Sequence, residues 1–231
     1  MTGGRVSQAR SRGGLRNHGL SIALVLLFCA FMAGQILTGL RQYNQEQRQN
    51  GEAEVSLPRY FATGHFLEAT AENWESEFLQ MAAYVLLTAS LYQKGSSESK
   101  KPGETEAVDR DPRQARKRAD APWPVRRGGW VLRVYEHSLS IAFVLLFVVS
   151  LALHAAGGAV EYNEDLQSRG EASVSTWQYL FTSRFWFESF QNWQSEFLSL
   201  VTMVLLSIWL RERGSPESKP VDAPHASTGS E

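Results

Sequence analysis

The chain has 231 residues and a formal net charge of −1 at pH 7, values that on their own are typical of a soluble protein. Its single cysteine, Cys29, excludes an internal disulfide. The average composition is misleading, however, because the hydrophobic residues, 43% of the chain, are concentrated in blocks.

Two of these blocks are long enough to cross a bilayer. Residues 20–40 carry no formal charge, and residues 139–160 contain His154 as their only titratable side chain. At about 1.5 Å rise per residue, each block covers a hydrocarbon core of about 30 Å. The sequence therefore predicts transmembrane helices at 20–40 and 139–160.

A shorter apolar block follows each of the long ones. Residues 78–92 and 197–210 are uncharged, and uncharged runs of this length also fit a buried or re-entrant helix. Each block reaches the length of a transmembrane span, about 20 residues, only if the preceding Asn-Trp-x-Ser-Glu segment forms the first turns of the helix. We therefore predict two further spans at 74–92 and 192–210.

The two pairs of blocks belong to an internal repeat. Residues 18–100 align without a gap with residues 137–219 at an offset of 119, and 36 of the 83 paired positions are identical. Such self-similarity constrains the whole architecture. The predicted fold is an all-α membrane protein of four transmembrane helices, arranged as two hairpins of the same orientation at 18–94 and 131–212.

Lysine and arginine are unevenly distributed among the segments between the spans. The stretch 94–133 carries eleven of them, whereas the loops inside the two repeats carry three and two. By the positive-inside rule, both termini and the middle stretch are expected in the cytoplasm of an inner-membrane protein.

The polar segments outside the hairpins are predicted to be unstructured. Residues 1–17 form a basic arm, and residues 95–130 and 213–231 lack apolar periodicity and are expected to be disordered. The middle stretch is mainly a topology determinant, and its basic cluster is also expected to attract anionic lipid rather than nucleic acid. The cluster consists of Arg113, Arg116, Lys117 and Arg118.

Each outer loop is rich in aromatic residues. Amphipathic rings favour the membrane–water boundary, so short interfacial helices are expected at 55–66 and 174–187. Ser175 and Gln178 form a possible capping box, and Ser56 is placed to cap similarly. The interfacial anchors expected from this distribution are Trp74, Trp177, Trp186 and Trp193.

Ionisable side chains at membrane depth are candidate functional groups. His154 and Glu196 lie at similar predicted depths, so a hydrogen bond or ion pair between them is feasible; Gln35 and Glu77 occupy the corresponding places in the first copy. In one interpretation the glutamates cap helix starts and His154 or Gln35 adds an interhelical bond. In the other, burial raises the pKa of the glutamates, and the site relays protons or binds a cation.

Two stretches resemble a bacterial membrane-protein family classified only as a domain of unknown function. They are Arg184-Phe-Trp-Phe-Glu-Ser-Phe-Gln-Asn-Trp-Gln-Ser-Glu-Phe197 and Arg211-Glu-Arg-Gly-Ser-Pro-Glu-Ser-Lys-Pro220. The resemblance covers both halves as two tandem copies and implies a helical membrane fold, but no activity, cofactor or catalytic residue.

The sequence contains no recognisable catalytic or metal-binding motif, so we predict neither an enzyme nor a cofactor or metal site. The predicted role is structural or partner-binding within the bilayer, with a membrane-protein partner or a second copy of the chain. The alternative is a small channel or transporter that uses the polar site near the outer face.

Overall fold

The computed structural model describes residues 17–229, and every regular element in that part of the chain is helical. The predicted all-α class is therefore confirmed. The chain divides into two compact units, Met1–Phe66 and Leu67–Glu231. Of the predicted basic arm at 1–17, only residue 17 lies in the described part.

The first unit is built on one long helix. Helix α1 spans Gly19–Gln49 and is followed by the short helix α2, Leu57–Tyr60. Helix α3, Gly64–Ser90, begins in this unit and continues into the second. Tyr43 is the only buried residue of α1, and its ring contacts those of Tyr60 and His65.

The second unit contains most of α3 and two other long helices. Helix α4 spans Trp123–Arg127, α5 spans Gly129–Glu136, and α6 spans Ser138–Ser168. A short helix α7, Thr176–Tyr179, precedes the last one, α8, at Ser183–Leu206. Buried residues of α6 and α8 pack around Tyr179 and form one apolar cluster of this unit, and Ala121, Val125 and Leu132 form another.

Among the described residues, only α1 and α6 are long and apolar enough to cross a membrane. Both extend about two turns beyond the predicted spans because the helical pattern continues into polar sequence. Helices α3 and α8 begin well before the predicted positions 74 and 192, so the predicted outer loops are shorter than expected. Their amino-terminal halves contain charged and amide side chains, as in the Asn-Trp-x-Ser-Glu segments, and this lowers their average apolarity.

The turns after α1 and α6 are closed by the same pair of hydrogen bonds. The side chain of Asn44 accepts from the backbone N–H of Val55 at 2.8 Å and donates to its carbonyl at 3.0 Å. Asn163 and Val174, 119 residues later, make the equivalent bonds at 2.7 and 2.9 Å. The paired sequences thus adopt the same local conformation.

The short helices α2 and α7 differ in their caps. Ser175 and Gln178 form the predicted capping box. The predicted cap at Ser56 is wrong, since its side chain makes no capping hydrogen bond. Position 59, three residues further on, is arginine, which cannot accept a reciprocal bond as Gln178 does.

Both stretches predicted to be disordered contain turns in the structure, and residues 95–130 also contain short helices. Residues 95–130 include 3₁₀ turns at Ala107–Asp109 and Pro112–Ala115, and α4 follows them. In the basic cluster, Arg113 and Arg118 pair with Asp111 and Asp120, and Arg116 donates to backbone carbonyls. Disorder of these stretches in solution, and lipid binding by the cluster, stay predictions.

Glycines allow α3 and α6 to approach closely. A Cβ atom added at Gly157 would lie 2.6 Å from the backbone nitrogen of Glu68, and one at Gly158 would lie 2.5 Å from the hydroxyl of Tyr179. Small residues at such crossings permit backbone contact between helices. The first of these contacts is the tighter constraint, because the backbone of α3 cannot move away as a side-chain tip can.

Gly157→Ala is therefore expected to destabilise the folded chain by about 1–3 kcal/mol through overpacking. The matched control is Gly34→Ala on α1, where an added Cβ meets nothing within 4 Å. Gly34→Ala is expected to leave the free energy of unfolding unchanged or to increase it by up to about 1 kcal/mol, because alanine favours the helix. Denaturant unfolding in detergent would measure both, and equal stability of the two variants would contradict the close approach.

Candidate functional site

Three carboxyl groups lie on one face of α3. Glu68, Glu72 and Glu75 are spaced by four and three residues, which places them in line along a helix. They face His154 on α6 and Glu188 on α8, and all five residues belong to the second unit. We call these five residues the His154 cluster.

Glu75 and His154 form the centre of the cluster. His154 Nδ1 lies 2.7 Å from Glu75 Oε2, and the two side chains are 0% and 1% exposed. The other carboxylate oxygen accepts a hydrogen bond of 2.9 Å from the indole N–H of Trp193. Both oxygens of the buried carboxylate therefore have partners, as burial of a charge requires.

Among the residues that the structure describes, none forms a hydrogen bond with the second ring nitrogen of His154. His154 Nε2 is buried, and it lies 3.6 Å from Glu188 Oε2, too far for a hydrogen bond. The ring of Phe185 stacks on the imidazole with centroids 4.8 Å apart and helps to hold it in this orientation. The nitrogen therefore points at carboxylates without bonding to one.

Glu188 is held by two other donors. The hydroxyl of Tyr179 donates to Oε2 at 2.7 Å, and Arg184 Nε donates to Oε1 at 2.8 Å. Arg184 also pairs with Asp165, at 2.5 Å. Burial alone would raise the pKa of Glu188, but His154, Tyr179 and Arg184 together outweigh burial and lower it. Glu188 is thus an ionised carboxylate at neutral pH.

Glu68 has weaker partners than Glu188. Its Oε1 lies 3.5 Å from the hydroxyl of Tyr179 and 3.9 Å from Arg184 Nη2, and the residue is 7% exposed. Burial, and then the charge of Glu188, raise the pKa of Glu68 to about 8. The cluster therefore concentrates more acidic groups than its nearby guanidinium, Arg184, can neutralise.

The structure brings together only part of the polar site predicted from the sequence. His154 pairs with Glu75 rather than with Glu196, because Glu75 lies on the face of α3 directed at α6. Glu196 instead interacts with Glu77. Gln35 lies half-buried on α1 in the first unit.

The four predicted tryptophan anchors differ in exposure. Trp177 is 69% exposed, and Trp74 and Trp186 are exposed to lesser degrees. Trp193 is half-buried, and its indole N–H is bonded to Glu75. Trp193 is thus part of the surroundings of the cluster, and the anchoring roles stay predictions.

Sequence reasoning missed most of the cluster, although the differences between the two copies pointed to it. Positions 68, 72 and 75 are glutamate in the first copy, whereas their equivalents are Phe187, Gln191 and Gln194. Conversely, His154 and Glu188 correspond to Gln35 and Ala69. The cluster combines the polar differences of both copies, so the chain holds it once.

The sequence also gave no sign of a metal-binding arrangement, yet three residues offer one. Glu68, His154 and Glu188 can each contribute one ligand atom, and these atoms lie within 4.8 Å of one another. Imidazole nitrogen and carboxylate oxygen are common ligands of divalent metals.

The fold and the cluster define an all-helical protein that has two helices able to cross a membrane and a buried acidic–histidine cluster. The family described as Domain of unknown function (DUF6766) matches residues 11–230, and the chain belongs to it. The match is a single copy over that whole range. No curated protein and no solved structure matches the chain.

Proposed function

We propose that the protein is a multi-pass protein of the bacterial inner membrane with a structural or partner-binding role. It crosses the bilayer four times, as two tandem hairpins of the same orientation with both termini in the cytoplasm. Its apolar outer surface contacts lipid and also provides a binding surface for a membrane-protein partner or for a second copy of the chain.

The observation that carries this proposal is the exposure of α1. None of the most apolar stretch of this 31-residue helix is buried, and large side chains such as Leu20 and Phe31 are more than 70% exposed. An apolar surface of this size is costly in water, at about 25 cal/mol per Å². Lipid, or a protein within lipid, is the environment that removes this cost.

Contacts within the second unit support the four-span arrangement. Glu72 bonds to Asn192 near the start of α3, and Gln80 bonds to Ser199 at 2.8 Å further along. Both residue numbers increase together, so α3 and α8 run in the same direction. Gln80 and Ser199 are also equivalent positions in the two copies, as expected of parallel repeats about an axis along the membrane normal.

The direction of α6 also supports the four-span arrangement. His154 contacts Glu75, and the earlier residue Phe147 contacts Trp193 of α8. Gly157, later in α6, lies against Glu68, earlier in α3. Helix α6 therefore runs opposite to α3 and α8, which is the arrangement of hairpins that share one orientation.

Labelling with a membrane-impermeant maleimide tests the topology. In a Cys29→Ser background, Ala53→Cys and Ala172→Cys are expected to react in intact cells, because both outer loops face outward. Gly103→Cys is expected to react only after the cells are permeabilised, because the middle stretch is cytoplasmic.

The same three variants distinguish four spans from two. If only α1 and α6 crossed the bilayer, position 103 would lie on the same side as position 53, and position 172 would lie on the opposite side. Labelling of Gly103→Cys in intact cells, with Ala172→Cys protected, would therefore refute the four-span arrangement.

The second candidate function is a small channel or transporter, and one contact favours it. Glu77 and Glu196 occupy equivalent positions on α3 and α8, and the exposed carboxyl group of Glu77 interacts electrostatically with the half-buried one of Glu196. Acidic groups that meet between membrane helices are typical of cation pathways.

Ion flux into liposomes containing the purified chain separates the two functions. A structural role predicts flux at the level of protein-free liposomes. Flux that is abolished by combining Glu77→Gln with Glu196→Gln would instead establish the transport function. The matched control combines Glu52→Gln with Glu171→Gln, an equivalent and exposed pair in the turns after α1 and α6.

A further inference from the structure

His154 Nε2 is a buried nitrogen directed at two carboxylates but bonded to neither. Its 3.6 Å distance from Glu188 Oε2 is too long for a hydrogen bond. The distance agrees instead with the separation expected of two ligand atoms that are bound to one metal ion. Metal–nitrogen and metal–oxygen bonds of about 2.1 Å at tetrahedral angles place two ligand atoms about 3.4 Å apart.

The other nitrogen of the ring is oriented as in metal-binding histidines. Glu75 Oε2 accepts from Nδ1, and a carboxylate can only accept, so Nδ1 carries a proton. A metal-ligating imidazole is neutral, so the lone pair offered to the metal is on Nε2. A carboxylate bonded to the far nitrogen of a ligating histidine is the usual device that fixes the ring and increases its basicity.

Glu188 and Glu68 can complete the ligand set. Glu188 Oε2 accepts one hydrogen bond, from Tyr179, and a carboxylate oxygen has a second lone pair for a cation. Glu68 is buried, and the partners of its Oε1 are distant, at 3.5 and 3.9 Å, so this oxygen is available to a cation. Two carboxylates together balance the charge of a divalent ion.

We propose that Glu68, His154 and Glu188 bind one divalent first-row transition-metal cation between α3, α6 and α8, with Glu75 as the positioning residue for the imidazole. Nitrogen and oxygen ligands without a thiolate favour Zn²⁺, Mn²⁺ or Fe²⁺ over Cu⁺. The imidazole ligand disfavours Mg²⁺ and Ca²⁺, which prefer oxygen.

This site goes beyond the proposed membrane role and does not depend on it, because all three ligands belong to one compact unit. The metal would connect three helices and would be present once per chain. The equivalent positions with the two copies exchanged cannot form a second site, since they hold Phe187, Gln35 and Ala69.

Equilibrium dialysis of the full-length chain in detergent, with Zn²⁺ as the probe, tests the site. The expected stoichiometry is one Zn²⁺ per chain, with a Kd raised more than about 100-fold by His154→Gln, which removes a direct ligand. Glu75→Gln keeps the ligands and alters only the positioning bond, so its Kd is expected to rise about 10–100-fold. The matched control is His137→Gln, an exposed histidine just before α6, which is expected to leave Kd unchanged.

If His154→Gln does not fold, X-ray absorption spectroscopy of the Zn²⁺- and Co²⁺-loaded wild-type chain tests the proposed ligands directly. The expected first shell contains one imidazole nitrogen and otherwise oxygen, with no sulfur. Absence of stoichiometric binding, binding unchanged in a folded His154→Gln variant, or a shell without imidazole would each overturn the proposal. None of these results would alter the labelling pattern, so the membrane topology is judged separately.

Discussion

The buried hydrogen bond between Glu75 and His154 is the interaction on which the second unit depends. Removing two ionisable groups from water is costly, and the cost is recovered only when every polar atom finds a partner. Glu75 meets this condition through His154 and the indole of Trp193, which join α3 to both α6 and α8. His154 meets it at only one of its two nitrogens. Its remaining nitrogen turns a structural contact into a candidate binding site.

Close helix packing makes this arrangement possible. Gly157 and Gly158 let α6 approach Glu68 and the hydroxyl of Tyr179, which in turn bonds to Glu188. The small residues and the polar cluster therefore act together: the glycines bring the helices within reach, and the hydrogen bonds fix their rotation about their axes. In lipid, where there is little hydrophobic drive between helices, packing and polar contacts of this kind are what hold helices together.

The helical class and the two long apolar helices were predictable because uncharged runs of about 20 residues have few other stable forms. The polar partners were harder to predict. Glu75 and Glu196 lie at similar depths, and only the rotation of α3 and α8 decides that Glu75 meets His154. The four-residue and three-residue spacing of Glu68, Glu72 and Glu75 did contain that information. Helix starts were misplaced because the turns at 64–73 and 183–191 mix aromatic and charged residues, so they were assigned to the interface or to a loop and not to the helices that follow.

A double-mutant cycle on Glu75 and His154 measures how strongly the stability of the chain depends on their hydrogen bond. Glu75→Gln and His154→Gln each introduce the residue found at the equivalent position of the other copy, so both substitutions are tolerated in a related helix. Each single substitution is expected to destabilise the chain by about 3–5 kcal/mol, because it leaves a buried polar partner uncompensated. The double variant should then lose less than the sum, with a coupling of about 1–3 kcal/mol. Additivity within about 0.5 kcal/mol would show that the two side chains do not depend on each other, and that the second unit does not depend on their hydrogen bond.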